Sequence, residues 1–348
     1  MNALERIIRD IIAAQGPISL AAYMELALQH PEYGYYRVRE PVGRDGDFIT
    51  APEISQMFGE MIGVWCAEAW RALGKPNPFA LVELGPGRGT MMQDVLRATA
   101  RVGGFHDAKQ LCLLDSDKAL RNPQREKLGG NAPRYFDDVT QLPPMPALIL
   151  ANEFFDALPV RQFVQTFRGW CENMVAVADE ALVMTQRPLE AAEHNFIPPA
   201  LREAAPGTVF EVSPKTQNIM RDITRHLATH TGAMLVIDYG YVAWSGAATV
   251  QAVSKHKHAD IFERPGEVDL TAHVDFTTLA AAAREAGVEV SPVMGQGEFL
   301  KNLGIDIRAD ALKARATLPQ AAAIDAALRR LTDADQMGFL FKVIEIRG

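Results

Sequence analysis

The sequence predicts an α/β protein built on an open, doubly wound parallel sheet, and two patterns carry that prediction. Short apolar runs recur along the chain: FALVELG from Phe79, LCLLD at 111–115, PALILANEFFD at 146–156 and AMLVIDYG at 233–240. The stretches between them, such as TMMQDVLRATARV, repeat apolar residues at helical spacing. Runs of strand length alternating with helices indicate parallel strands joined by crossover helices.

Taken in order, residues 1–75 form a mainly helical region that would act as a lid. MNALERIIRDIIAAQG reads as an amphipathic helix. HPEYGYYRVREPVGRDGDFIT, rich in Tyr, Gly and Pro, reads as a long loop or hairpin of the kind that often carries function. In TAPEISQMFGEMIGVWCAEAWRALG, Thr50 is the expected N-cap with Glu53 completing a capping box, and Gly74 with Pro76 stops the helix. Residues 76–348 form the sheet domain, with insertions at about 160–230 and 241–272. The first insertion reads as two strands followed by a helix, the second as a polar loop over one end of the sheet. VEVSPVM (288–294) and GFLFKVIEI (338–346) supply the last two strands as an antiparallel, hairpin-like edge.

Composition narrows the function. The chain has 348 residues, a formal net charge of −8, 48% hydrophobic and 22% charged residues. That is ordinary for a globular protein; no basic block offers a nucleic acid an electrostatic footprint, with a small local basic patch left open. Cys66, Cys112 and Cys171 are isolated, which indicates neither a disulfide framework nor a zinc site. No run approaches the roughly 20 apolar residues of a membrane span. The expected location is the cytoplasm, without a bound metal.

The stretch LVELGPGRGT (81–90) carries the chemistry. Gly85, Gly87 and Gly89 follow a strand and open a helix, so a backbone turn approaches something closely; tight packing alone would also produce such a turn. Glu83 discriminates between ligands. A helix N-terminus attracts pyrophosphate, which a carboxylate two residues earlier would oppose. S-adenosylmethionine fits instead, since it carries an ammonium group and a sulfonium and no phosphate. Asp115, ending the second strand, is placed for ribose hydroxyls, with Asp117 as a competitor. Asp137 and Asp138 in RYFDDV are placed for an adenine amino group. Helix capping or a solvated loop is the alternative reading for each of these aspartates.

ANEFFDALP (151–159) follows the fourth strand, where this type of sheet presents groups to a substrate. Glu153 and Asp156, three apart with Asn152 adjacent, would match the planar donor fork of a guanidinium. Asn152 and Asp156 could instead cap the next helix. Tyr33, Gly34 and Tyr35, together with Thr50, Pro52 and Glu53, would close the site from the N-terminal side. His273 in DLTAHVDF would be a polar contact there or a structural histidine.

Together, GDFITAPEISQMFGEMIGVW, LVELGPGRGTMMQDVLRA, ILANEFFDALPVRQF, VIDYG and GEVDLTAHVDF resemble the MidA-like family of S-adenosylmethionine-dependent methyltransferases, from about residue 15 to the C-terminus. The resemblance implies a class I methyltransferase fold: a Rossmann-like sheet of seven strands with the last antiparallel, an N-terminal helical region and insertions. It implies arginine N-methylation of a partner protein and, from the mitochondrial members, assembly of respiratory complex I. Glu83, Gly85, Pro86, Gly87 and Gly89 would form the cofactor turn, Asp115 the ribose position, and Asn152 a further cofactor contact. LLDSDKALR (113–121) departs from the Glu-x-Ser-Pro type expected there. HKH at 256–258 falls in a family loop where histidines are usual and need no metal. A non-catalytic assembly factor, a nicotinamide dehydrogenase and a small-molecule methyltransferase are the competing readings, and a homodimer is left open.

Overall fold

The computed structural model describes residues 1–38, 50–115, 117–254 and 257–348. Most of the Tyr-, Gly- and Pro-rich stretch and His256 therefore lie outside the described residues.

Helices α1 (Ala3–Gln15) and α2 (Leu20–Gln29) open the chain, capped by Asn2 and Ser19, and α3 (Gln56–Ala72) follows. The central sheet begins with β1 (Phe79–Leu84), after which α4 (Thr90–Thr99) leads to β2 (Lys109–Leu114). Helix α5 (Arg121–Leu128) leads to β3 (Arg134–Phe136), and β4 (Ala147–Asn152) comes next. Helix α6 (Pro214–His230) crosses to β5 (Gly232–Tyr241), α7 (Phe276–Arg284) follows, and β6 (Phe341–Arg347) ends the sheet.

The strand order is Glu289–Val290, β6, β5, β4, β1, β2, β3. β1 to β5 are mutually parallel, whereas β6 is antiparallel to both of its neighbours. This is the expected seven-stranded sheet with its last strand antiparallel, to which two-residue strands at Val274–Asp275 and Met294–Gly295 are added. The last strand enters between β5 and Glu289–Val290 and not as an outer hairpin.

Alternation along each strand divides the core. Leu81, Leu113, Leu148, Leu150, Leu235 and Ile237 face α3 and α4, while Val82, Ile149, Met234 and Val236 face α6 and α7. Strands covered on both faces read as unbroken apolar runs, which is why they were legible.

Three segments differ from the sequence reading. The helix expected from Thr50 breaks at Ser55, which is extended (φ −162°) and caps α3 through Met57 N; Thr50 makes no side-chain cap bond. The first insertion has four strands, Arg161–Thr166, Gly169–Ala178, Ala181–Pro188 and Val209–Val212. Helix α6, read as part of it, packs Met220, Ile223 and Leu227 into the sheet core and is a crossover helix. Residues 241–272 form a three-stranded sheet, Gln251–Ser254, Lys257–Ala259 and Asp269–Thr271, where a loop was expected.

These pieces make one cap. Leu4, Ile8 and Leu28 pack with Val160 and Val175 of the first insertion and Ala252 and Leu270 of the second. Ile18–Ser19 pairs with Gly169–Ala178, and the cap sits over the carboxyl ends of the central strands.

Candidate active site

Where the strand order reverses, between β1 and β4, a cleft of about 910 Å³ opens at the carboxyl edge of the sheet. That is where open α/β sheets bind ligands. It has one end at β1 to β3, the cofactor end of the sequence expectation, and an inner end at β4 and β5.

At the cofactor end, Gly85, Gly87 and Gly89 all have left-handed backbone, with φ of 61°, 51° and 78°. Gly85 and Gly87 line the cleft together with Pro86; Gly89 is the N-cap of α4 and does not line it. A Cβ at Gly85 would come 3.1 Å from the Phe154 ring, while one at Gly87 would meet nothing within 4 Å. Glu83 is 3% exposed, its Oε2 has no hydrogen-bond partner, and burial followed by the nearby Asp115 pushes its pKa up to about 8. An unsatisfied buried carboxylate is costly, and a cation in the cleft relieves it. Asn152, at the end of β4, also has an unpartnered buried oxygen, Oδ1. Two acceptors awaiting a donor fit the ammonium end of S-adenosylmethionine and do not fit pyrophosphate.

Asp115 lines the same end, its pKa raised by burial to about 6. Its Oδ1 accepts from Asp117 N (2.8 Å) and its Oδ2 from Gln124 Nε2 (3.0 Å). Asp117, the competing candidate, caps the following turn through Ala119 N and pairs with Arg37 of the N-terminal region. Asp137 and Asp138 border the cleft; Asp137 is paired with Arg121, and Asp138 accepts from Thr140.

At the inner end, Glu153 adopts a left-handed backbone, φ 49°, and its Oε1 accepts from Ala51 N (3.1 Å), an orphan donor at the start of the Ala51–Ile54 turn, and from Asn152 Nδ2 (3.2 Å). Burial, then Asp156, raises its pKa to about 7. Asp156 is 6% exposed, its Oδ1 is without a partner, and burial raises its pKa. Asp238 accepts from Phe155 N (2.9 Å), Asp156 N (3.3 Å) and Tyr239 N (2.9 Å), and so fixes the turn carrying the Glu153 and Asp156 pair. Burial and the two nearby carboxylates raise its pKa as well. The Tyr239 hydroxyl lies against Asp156 and Thr271 without a well-formed hydrogen bond to either.

Of the residues proposed for the lid, Thr50, Pro52 and Glu53 line the cleft, and Glu53 accepts from Thr90 Oγ1 at the start of α4. Tyr33, Gly34 and Tyr35 do not. Tyr33 stacks on His30 at 5.3 Å, Gly34 turns against the His30 backbone, and Tyr35 is fully buried in the cap core. Their neighbours Tyr36 and Arg37 reach the cleft instead. His273 lines a separate small recess with Glu211 and Ser213, edge-on to Tyr239 at 5.4 Å. The sequence reading missed Tyr239 and Asp238, which VIDYG places at a strand's carboxyl end, and Gln124, for which no local signal exists.

Residues 61–294 match the family model described as "Putative S-adenosyl-L-methionine-dependent methyltransferase". The chain belongs to this family. The protein named Protein arginine methyltransferase NDUFAF7, mitochondrial, of Homo sapiens is 35% identical, covering 88% of this chain and 75% of its own length. Its Xenopus tropicalis counterpart is 32% identical, over 99% and 86% respectively. A Burkholderia thailandensis structure with S-adenosyl-homocysteine bound superposes with a TM-score of 0.87, at 31% identity, covering 99% of this chain and 92% of the other. The methyltransferase therefore has the class I fold and uses S-adenosylmethionine. One expectation is overturned: these curated relatives are named as mitochondrial proteins, against the cytoplasmic location read from the sequence. No described helix is long and apolar enough to cross a membrane.

Proposed function

We propose that this methyltransferase transfers a methyl group to a terminal nitrogen of an arginine side chain in a partner protein. One observation carries the reading: the inner end of the cleft gathers the Glu153 and Asp156 carboxylates with the buried acceptor Asp156 Oδ1 unsatisfied. A guanidinium brings several donors in a rigid plane and the positive charge that such a cluster lacks. The names of the curated relatives support the same acceptor class.

The bound S-adenosylmethionine supplies an electrophilic methyl carbon on a sulfonium sulfur. Arginine's pKa lies above 12, so full deprotonation at neutral pH would cost at least about 7 kcal/mol. The protein's task is therefore positioning, with the proton lost late. Glu153, fixed by Ala51 N, holds and polarises the guanidinium, one nitrogen facing the methyl group at roughly 3 to 3.5 Å. As the nitrogen–carbon bond forms, the carbon–sulfur bond breaks with its electron pair left on sulfur. Asp156 takes up the proton that the nitrogen releases. Thr50, Pro52 and Glu53 close the cleft from the N-terminal side. The acceptor implied by the family resemblance is a respiratory complex I subunit.

Labelled methyl transfer to a lysate lacking this protein, followed by mass spectrometry of labelled bands, tests the reading. A labelled arginine that disappears with Glu153→Gln supports it. Label confined to small molecules would transfer the site to that acceptor class, and cofactor binding without any label would favour a non-catalytic assembly factor.

A further inference from the structure

Gln124 is fully buried on α5. Its Nε2 donates to the Gly87 carbonyl at 2.7 Å and to Asp115 Oδ2 at 3.0 Å. Both neighbours can only accept, so the amide has one workable orientation, and each of its two N–H bonds has its own acceptor. Asp115 is thereby gripped from two sides, by the backbone amide of Asp117 on Oδ1 and by Gln124 on Oδ2. Each carboxylate oxygen, with one donor satisfied, keeps acceptor capacity, and Asp115 lines the cleft. Two acceptors side by side, with rotation blocked, match two adjacent hydroxyl donors.

We propose that Gln124 is a positioning residue that locks Asp115 in the rotamer that receives the vicinal diol of the cofactor's ribose and ties that contact to the carbonyl of the glycine turn. One primary amide thus joins the two strand ends between which the cofactor lies. Truncating it releases both at once: Asp115 regains rotamer freedom and repels the buried Glu83, while the Gly87 carbonyl loses a buried donor. The proposal rests on the placement of S-adenosylmethionine in this cleft.

Calorimetric titration of the full-length protein with S-adenosyl-homocysteine and with its 2′-deoxyribose counterpart separates positioning from packing. The 2′-deoxyribose ligand lacks one hydrogen bond to a charged group, which predicts that the wild-type protein prefers the intact diol by roughly tenfold to a hundredfold. In Gln124→Met, close in length and unable to donate, that preference collapses to within about threefold. Asp115→Asn combined with it loses no further discrimination beyond Asp115→Asn alone. If Gln124→Met weakens both ligands in parallel and keeps the full ratio, Gln124 is a packing residue and the proposal is overturned. Should Gln124→Met fail to give a cooperative melt, Gln124→Leu is read the same way. Full diol preference in Asp115→Asn with Gln124 intact would also overturn it. Absence of any wild-type binding to S-adenosyl-homocysteine would instead sink the cofactor placement.

Discussion

Glu153 carries both strain and charge. A non-glycine residue at φ 49° costs on the order of 1–3 kcal/mol, and the surroundings hold it there through Ala51 N. Replacing it by glycine relieves the strain and removes a desolvated carboxylate, so Glu153→Gly should raise the melting temperature while turnover falls on the order of 10²-fold. A lower melting temperature in that variant would show that the Ala51 bond outweighs the strain. In the proposed mechanism Glu153 works as the carboxylate, and burial lifts its pKa to about 7. Transfer should therefore climb as pH rises through about 7 and level above it, with Glu153→Gln abolishing that limb at reduced rate. The legible part of the site at this scale was local: Glu83 and its glycines sit within a few residues at the end of one strand. Gln124, Tyr239 and Thr271 come together only through tertiary packing. A glutamine in the charged segment RNPQREKL gives no sign that it is fully buried.

Elements were legible in proportion to how local their partners are. β1, β2, β4 and β5 announce themselves because both faces are covered. Helix α6 was assigned to the insertion because the sequence shows it beside those strands. Its apolar stripe of Met220, Ile223 and Leu227 could have covered either sheet, and only the fold selects one. The strands of 251–271 are short and polar at their edges, which reads as loop until α1 and α2 cover them. Glu211 staples the two insertions: 7% exposed, it accepts from Gln162 Nε2 (2.6 Å), Thr249 N (3.0 Å) and the Thr249 hydroxyl. Val250 N donates to it as well (3.3 Å), so Glu211→Ala strands four donors, and a loss of about 2 to 4 kcal/mol in urea unfolding is expected. The cofactor end is remote from this staple. S-adenosyl-homocysteine affinity should consequently survive in the folded variant while KM for the protein acceptor rises. Equal damage to both would mean that the cap and the sheet are not separable in function.

The whole molecule should be acid-stabilised without its cofactor. Glu83 and Glu153 have folded pKa values raised to about 8 and 7. Between the ordinary carboxylate range and those values the folded state holds more protons than the unfolded chain, so stability is lost as pH rises, by at most about 1.4 kcal/mol per pH unit per group. Thermal melts from pH 5 to 8.5 should fall steadily for the ligand-free protein; in Glu83→Gln the fall should be shallower and level off above about 7, once Glu153 has lost its proton. If the cofactor's ammonium group sits at Glu83, the stabilising increment of the cofactor should grow with pH. An increment independent of pH would separate Glu83 from the ligand's charge. The composite cap has a consequence in time. Leu4 and Ile8 find their partners at Val175 and Leu270, so on a ribosome adding about 5–20 residues per second the first helix waits roughly 13 to 50 s for its last cover. Through that interval its apolar stripe is a natural grip for chaperones, and nascent chains paused before residue 270 should be held by them far longer than chains paused after it.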